Sequence, residues 1–179
     1  MVQEKKTLFL VGPMGSGKST VGRALAARTG AALVDLDEEI VRRAGTSIPR
    51  IFEERGEEGF RDFEGRVLGE VARRPGPLVV ATGGGAVLRE ANRNAMVAAG
   101  TVVYLHADLD TLLARTSGDA NRPLLREEDP RAKLEVLQAE REPLYRQADL
   151  VVETAGRGPE EVAREILARL ADPPPAPVE

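Results

Sequence analysis

Residues 12–20 read GPMGSGKST and follow the apolar run TLFLV at 7–11. The pattern Gly12-x-x-x-x-Gly17-Lys18-Ser19, set between a strand and a helix, is that of a phosphate-binding loop. Its glycines let the backbone wrap tightly, so that N–H groups over Gly15, Ser16, Gly17, Lys18, Ser19 and Thr20 point at phosphate oxygens beside a helix N-terminus. Lys18 then sits on the β- and γ-phosphates, and the Ser19 hydroxyl binds Mg²⁺. A nucleoside triphosphate is the expected ligand. The same nine residues impose a strand–loop–helix start on the fold.

The remaining pattern extends that start. Apolar runs at 32–35, 78–81, 101–106 and 149–152 alternate with helical periodicity at about 18–29, 60–73, 90–99, 108–115, 131–147 and 159–171. Alternation of this kind predicts α/β layering around a mainly parallel sheet. Asp108 is placed to cap one helix, and Gly158-Pro159 to open the last. Two stretches break the rhythm. Residues 37–64 hold enough helical pattern for two or three short helices and are expected to form a small lobe over the sheet. Residues 116–130 are turn-rich and polar, and are expected to form a lid. A single domain over 1–171 is expected, followed by a flexible proline-rich tail at 172–179.

Composition narrows the function. A net charge of −4 supplies no basic face for nucleic acid, and no run approaches the roughly 18 apolar residues of a membrane span. Zero cysteines exclude a disulfide framework and thiol metal sites. Without a signal-peptide plan at the N-terminus, the expected location is cytoplasmic.

Three classes of phosphate-loop protein then compete. A guanine-nucleotide switch needs an NKxD, which is absent from the chain. Its DxxG has a look-alike in Asp62–Gly65, but Phe60, Phe63 and Val67 fall at i, i+3, i+7, which is helical spacing. A motor ATPase calls for an acidic pair after a hydrophobic strand, whereas LVVA runs into Thr82-Gly83-Gly84-Gly85. A small-molecule kinase needs a nucleotide cradle, a positioning carboxylate, acceptor-binding groups and a lid. Asp35-Leu36-Asp37 ends the second strand, and in an extended segment both carboxylates point to one side, toward the ligand crevice. One acid then serves Mg²⁺ and the other the acceptor hydroxyl. The plainer alternative is that Asp37 caps a helix and Asp35 lies on the surface. Three consecutive glycines at 83–85 let a ligand approach the backbone.

GPMGSGKST, DLD, IFEERGEEGFRDFE, TGGGAV, NRPLL and EREPLYRQAD, in this order and spacing, resemble the shikimate kinase family. The resemblance runs over about 8–165. It implies the fold of the nucleoside monophosphate kinases, with five parallel strands in a three-layer arrangement, a substrate-binding lobe and a lid. It also implies phosphoryl transfer from MgATP to the 3-hydroxyl of shikimate by a monomer, with no nucleic-acid or membrane partner. Arg61 and Arg141 would clamp the shikimate carboxylate, a task suited to guanidinium geometry. Glu64 would orient Arg61, Asp37 would bind hydroxyls and act as base, and Asp35 would hold Mg²⁺. Gly84, with Gly83 and Gly85, would present backbone N–H to the substrate. Arg122 would close onto the transferring phosphoryl group, and Arg115 and Arg157 would flank adenine. The chain departs from the family pattern at Gly158, where an asparagine often sits. Gluconate, another carboxylate-bearing acceptor, is the alternative within the same fold. A nucleotide-binding module without turnover is the alternative outside kinase chemistry.

Of 25 basic side chains only 4 are lysine, so most of the 21 arginines must be ordinary surface residues. Place within a motif, not charge, singles out Arg61, Arg122 and Arg141.

Overall fold

The computed structural model describes residues 7–117 and 129–172. Five strands, β1 (Thr7–Val11), β2 (Ala32–Asp35), β3 (Leu78–Ala81), β4 (Gly100–His106) and β5 (Leu150–Glu153), form one sheet in the order β2-β3-β1-β4-β5. Every pairing is parallel, with Phe9 of β1 opposite Val80 on one side and Val102 on the other. Parallel strands need crossovers, and the helices that supply them cover both faces.

Alternate residues of the strands feed two separate cores. Phe9, Val11, Val34, Val80 and Tyr104 face helices α2 (Leu36–Ala44), α3 (Ile48–Ala72) and α4 (Glu90–Ala99). Leu10, Val79, Val103, Leu105 and Val152 face α1 (Lys18–Thr29) and α7 (Pro159–Ala171). This is the expected three-layer plan. Helices α5 (Leu109–Thr116) and α6 (Pro130–Tyr145) close the end beside β4, packing Leu112 against Leu134.

Local signals account for the helix starts. Asp108 Oδ1 accepts from Thr111 N at 2.8 Å, and Asp129 Oδ1 from Ala132 N at 3.1 Å. Gly158 precedes Pro159 at the start of α7. Each arrangement satisfies or removes an otherwise orphaned N–H of a first helical turn.

Two expectations change. The extended run through Asp35-Leu36-Asp37 stops at Asp35, because its side chain caps α2 and turns the chain. The 37–64 stretch holds α2 and the first part of α3, and α3 continues to Ala72 in place of a separate helix starting at 60. It bends at Gly56, whose φ of +68° and ψ of −179° belong to glycine. Beyond the bend Val67, Leu68 and Val71 return to the core. The Asp62–Gly65 look-alike lies within α3, with Asp62 paired to Arg89 at 2.6 Å. Arg122, most of the 116–130 stretch and residues 173–179 of the tail lie outside the described residues.

Candidate active site

β1 ends at Val11, and the loop beyond it turns into α1 through Gly17, whose φ of +94° favours glycine. Ser16 N donates to Pro13 O at 3.2 Å, which closes the loop. Lys18 Nζ arches back over it, donating to Gly12 O at 2.6 Å and Pro13 O at 2.9 Å. Thr20 Oγ1 donates to Gly17 O at 3.1 Å. Ser19 Oγ donates to Asp35 Oδ2 at 2.9 Å. The other oxygen of that carboxylate accepts from Asp37 N at 3.0 Å and Glu38 N at 3.2 Å. Asp35 therefore does two things at once. It caps α2, and it brings a hard oxygen donor beside the Ser19 hydroxyl, the chemistry Mg²⁺ selects. Asp37, in the first turn of α2, lines the same cavity.

The far side of the cavity is built on the glycines after β3. Thr82 is buried and its Oγ1 donates to Leu10 O at 2.8 Å, tying the start of this segment to β1. Each glycine then lies against a charged side chain. A Cβ at Gly83 would stand 2.9 Å from Asp37 Oδ1 and 3.3 Å from Glu64 Oε2. One at Gly84 would stand 3.4 Å from Arg141 Nη1, and one at Gly85 would overlap the Arg61 guanidinium. Four side chains from three helices reach the site because these positions carry none.

Arg61 and Glu64 pair at 2.8 Å on one face of α3, and both are buried. Burial pushes the Glu64 carboxyl above its ordinary pKa, and nearby Asp37 adds to this, while Arg61 opposes it. Among the described residues Arg61 Nε, Glu64 Oε2 and Arg141 Nε are buried polar atoms without a hydrogen-bond partner. Such atoms are rare in folded proteins, and here they border an open cavity. Phe52 and Phe60 stack at 4.6 Å and form its apolar wall, with the Arg61 guanidinium 5.1 Å above the Phe60 ring.

Arg115 joins the third side. Its Nη1 donates to Gly15 O at 3.2 Å and Thr154 Oγ1 at 3.1 Å, and its Nη2 to Thr154 O at 2.9 Å. Thr154 is itself anchored to His106 O at the end of β4. The cavity measures about 480 Å³ and brings together Gly15, Gly17, Lys18, Ser19, Thr20, Asp35, Asp37, Arg61, the three glycines, Arg115 and Arg141. Ser16 is buried beneath the loop and does not line it. Arg157 is outside it as well, donating to Glu161 at 2.9 Å and paired with Glu165 at 2.5 Å. Sequence reasoning missed Thr82 and Ile48 as lining residues, although Thr82 stands directly before the glycines it had singled out.

No helix of the described residues is long and apolar enough to cross a membrane. No group of three or more His, Cys, Asp or Glu side chains among them forms a metal cage. Cations on one flank and a phosphate loop on the other suit a triphosphate facing a carboxylate-bearing acceptor.

Comparison with known proteins gives the same reading. The family model described as shikimate kinase matches residues 14–171. A shikimate kinase of Pseudomonas savastanoi pv. phaseolicola is 53% identical over 171 residues, covering 95% of this chain and 99% of that protein. The structure of a shikimate kinase from Acinetobacter baumannii in complex with shikimate superimposes with a TM-score of 0.88 at 46% identity, covering 93% of this chain and 92% of that one. A gluconokinase from Sinorhizobium meliloti, at 22% identity and a TM-score of 0.60 over 94% of both chains, shares the fold alone. Matches over nearly the whole length, around a cavity of this composition, place the chain in the shikimate kinase family.

Proposed function

We propose that this chain, a single kinase domain over 1–171, transfers the γ-phosphoryl group of ATP to the 3-hydroxyl of shikimate, giving shikimate 3-phosphate on the route to chorismate and the aromatic amino acids. The observation that carries the reading is the continuity of one cavity from the phosphate loop to Arg61 and Arg141. The loop from Gly15 to Thr20 binds the phosphates, with Lys18 moving from its loop carbonyls to the β- and γ-oxygens. Ser16, buried below, keeps the loop in shape. Arg115 flanks adenine from a position fixed by Thr154, and Arg157 lies on the adjoining segment after β5. Arg61 and Arg141 take the shikimate carboxylate between them, with Gly83, Gly84 and Gly85 letting the ring approach.

Ser19 and Asp35 fit Mg²⁺, since both offer oxygen and already share a hydrogen bond. The metal would neutralise phosphate charge there. Asp37 takes the proton of the attacking hydroxyl as its oxygen bonds to the γ-phosphorus. The bond to the bridging oxygen breaks, and ADP leaves. Arg122 is assigned to the equatorial oxygens of the transferring group on its place in NRPLL. The chain is assigned as a monomer. The composition supports a cytoplasmic location.

The test is a coupled ADP-release assay with MgATP, offering shikimate, gluconate, AMP or no acceptor in parallel, each also with GTP in place of ATP. Turnover with shikimate and ATP is expected. Turnover only with gluconate or AMP overturns the assignment of Arg61 and Arg141, and nucleotide binding without acceptor-dependent turnover overturns the kinase reading.

A further inference from the structure

Tyr145 closes α6 and is fully buried. Its hydroxyl donates to Gly84 O at 2.6 Å, a bond between residues 61 apart in the chain. The ring stacks on Tyr104 at 5.0 Å, and Tyr104 in turn bonds Glu142 and accepts from Gln138 Nε2 at 3.2 Å. Of these bonds, the one from Tyr145 is the one that ties α6 to the glycine segment. Burial pushes the Tyr145 hydroxyl up to about 12, against the pull of the adjacent Arg141, so it remains a donor throughout the neutral range.

We infer that Tyr145 is a positioning residue for the acceptor, setting the Gly84–Gly85 peptide and Arg141 in register with one another. The inference rests on the shikimate reading above. Three physical points carry it. A run of three glycines has little conformational preference of its own, so its peptide planes need an external anchor. The peptide is planar and trans, so holding Gly84 O toward Tyr145 turns the Gly85 N–H to the opposite side. Arg141 precedes Tyr145 by one helical turn and occupies the same face of α6, beside Gly84. One hydrogen bond therefore fixes the backbone of the acceptor loop and the helix that delivers the second arginine. Arg61 lies against the next glycine, so the separation of the two guanidinium groups depends on this anchor too.

Tyr145→Phe removes the anchoring hydroxyl and keeps the ring stack. Gly84 O then loses its donor, and the shikimate KM is expected to rise by about 10-fold. The ATP KM is expected to change by less than about 2-fold, because the hydroxyl removed bonds to Gly84 on the acceptor side of the cavity. Tyr104→Phe is the control. It deletes another buried hydroxyl of the same network without touching Gly84, and should leave the shikimate KM within about 2-fold. Thermal melts with and without saturating shikimate or ATP give a second readout that survives a destabilised variant. Shikimate should raise the midpoint of Tyr145→Phe less than that of the parent, while the ATP shift stays equal. An unchanged shikimate KM in Tyr145→Phe overturns the inference. So does a parallel rise in both KM values, or an equal effect of Tyr104→Phe. A parent protein without shikimate turnover removes the functional reading and this inference together, so the two failures are told apart by the parent alone.

Discussion

Gly85 lies so close to Arg61 that a Cβ added there would stand 2.5 Å from the guanidinium carbon. Real Cβ atoms do not approach carbon so closely, so Gly85→Ala must push the arginine aside. The obstructing group is the far end of a flexible side chain, which moves at small expense in stability. Its hydrogen bond to Glu64 moves with it. Losing charge-assisted hydrogen bonds to a carboxylate corresponds to roughly 10- to 100-fold in affinity. Gly85→Ala is expected to raise the shikimate KM at least about 10-fold, with the ATP KM within about 2-fold and the melting midpoint within a few degrees. Steady-state kinetics with each substrate varied decide it. A normal shikimate KM would show that Arg61 does not hold the acceptor.

Asp35 separates a structural role from a catalytic one. Its Oδ1 caps α2 and its Oδ2 accepts from Ser19. Asparagine caps helices about as well as aspartate, whereas alanine gives up about 1 kcal/mol. Asp35→Asn is therefore expected to melt within about 2 °C of the parent, and Asp35→Ala to fall a further 2–4 °C. Both should lose turnover by a factor of about 100 or more, with a higher Mg²⁺ requirement, because a neutral side chain no longer offsets the metal charge. Melting curves and Mg²⁺ titrations of activity check this. Full activity in Asp35→Asn at the parent's Mg²⁺ concentration would leave Asp35 as a cap alone.

Much of this arrangement was legible in the residues, and the failures have definite causes. Five apolar runs marked five strands because strands buried on both faces carry uninterrupted Val, Leu and Ile. Arg61 and Glu64 were legible because three residues on a helix is one turn. The break at Asp35 was readable in principle, since DLDEE puts a capping acid before acids in a first turn, but the strand pattern overrode it. The bend at Gly56 depends on where α3 meets the sheet, and helix periodicity does not record that. Contacts such as Gly85 with Arg61, or Tyr145 with Gly84, join segments far apart in sequence. The motifs TGGGAV and EREPLY held both partners of the second contact without indicating that they touch.

Arg122 and Arg141 carry separable predictions. Arg141 is buried beside Gly84, and the proposed function gives it the acceptor carboxylate. Arg141→Ala is expected to raise the shikimate KM by about 10- to 100-fold, an effect of removing one charged hydrogen-bonding partner. Arg122→Ala should lower kcat by about 10³-fold while leaving shikimate affinity nearly intact, as expected of a group that meets charge only in the transition state. Single-turnover rates and shikimate titrations separate the two. An unchanged kcat in Arg122→Ala would remove that residue from the transition state.

Glu39 supplies a pH dependence away from the site. It accepts from Arg42 at 2.8 Å and Arg43 at 2.9 Å, and it also accepts from Arg74, which joins α2 to the segment after α3. These arginines, Arg42 foremost, hold its carboxyl at about 2, below the ordinary 4.5, against the effect of burial. Because the folded value lies below the unfolded one, the contribution is complete above pH 4.5 and disappears as pH falls toward 2. Arg42 is largely exposed, so after screening the cluster is worth about 1–2 kcal/mol. Glu39→Gln should lower the melting midpoint by about 4 °C at pH 7, and the gap should narrow steadily between pH 4.5 and 3. Calorimetry of parent and variant over that range tests the sign directly. A gap that stays constant with pH would mean the loss comes from packing, with the Glu39 charge contributing nothing.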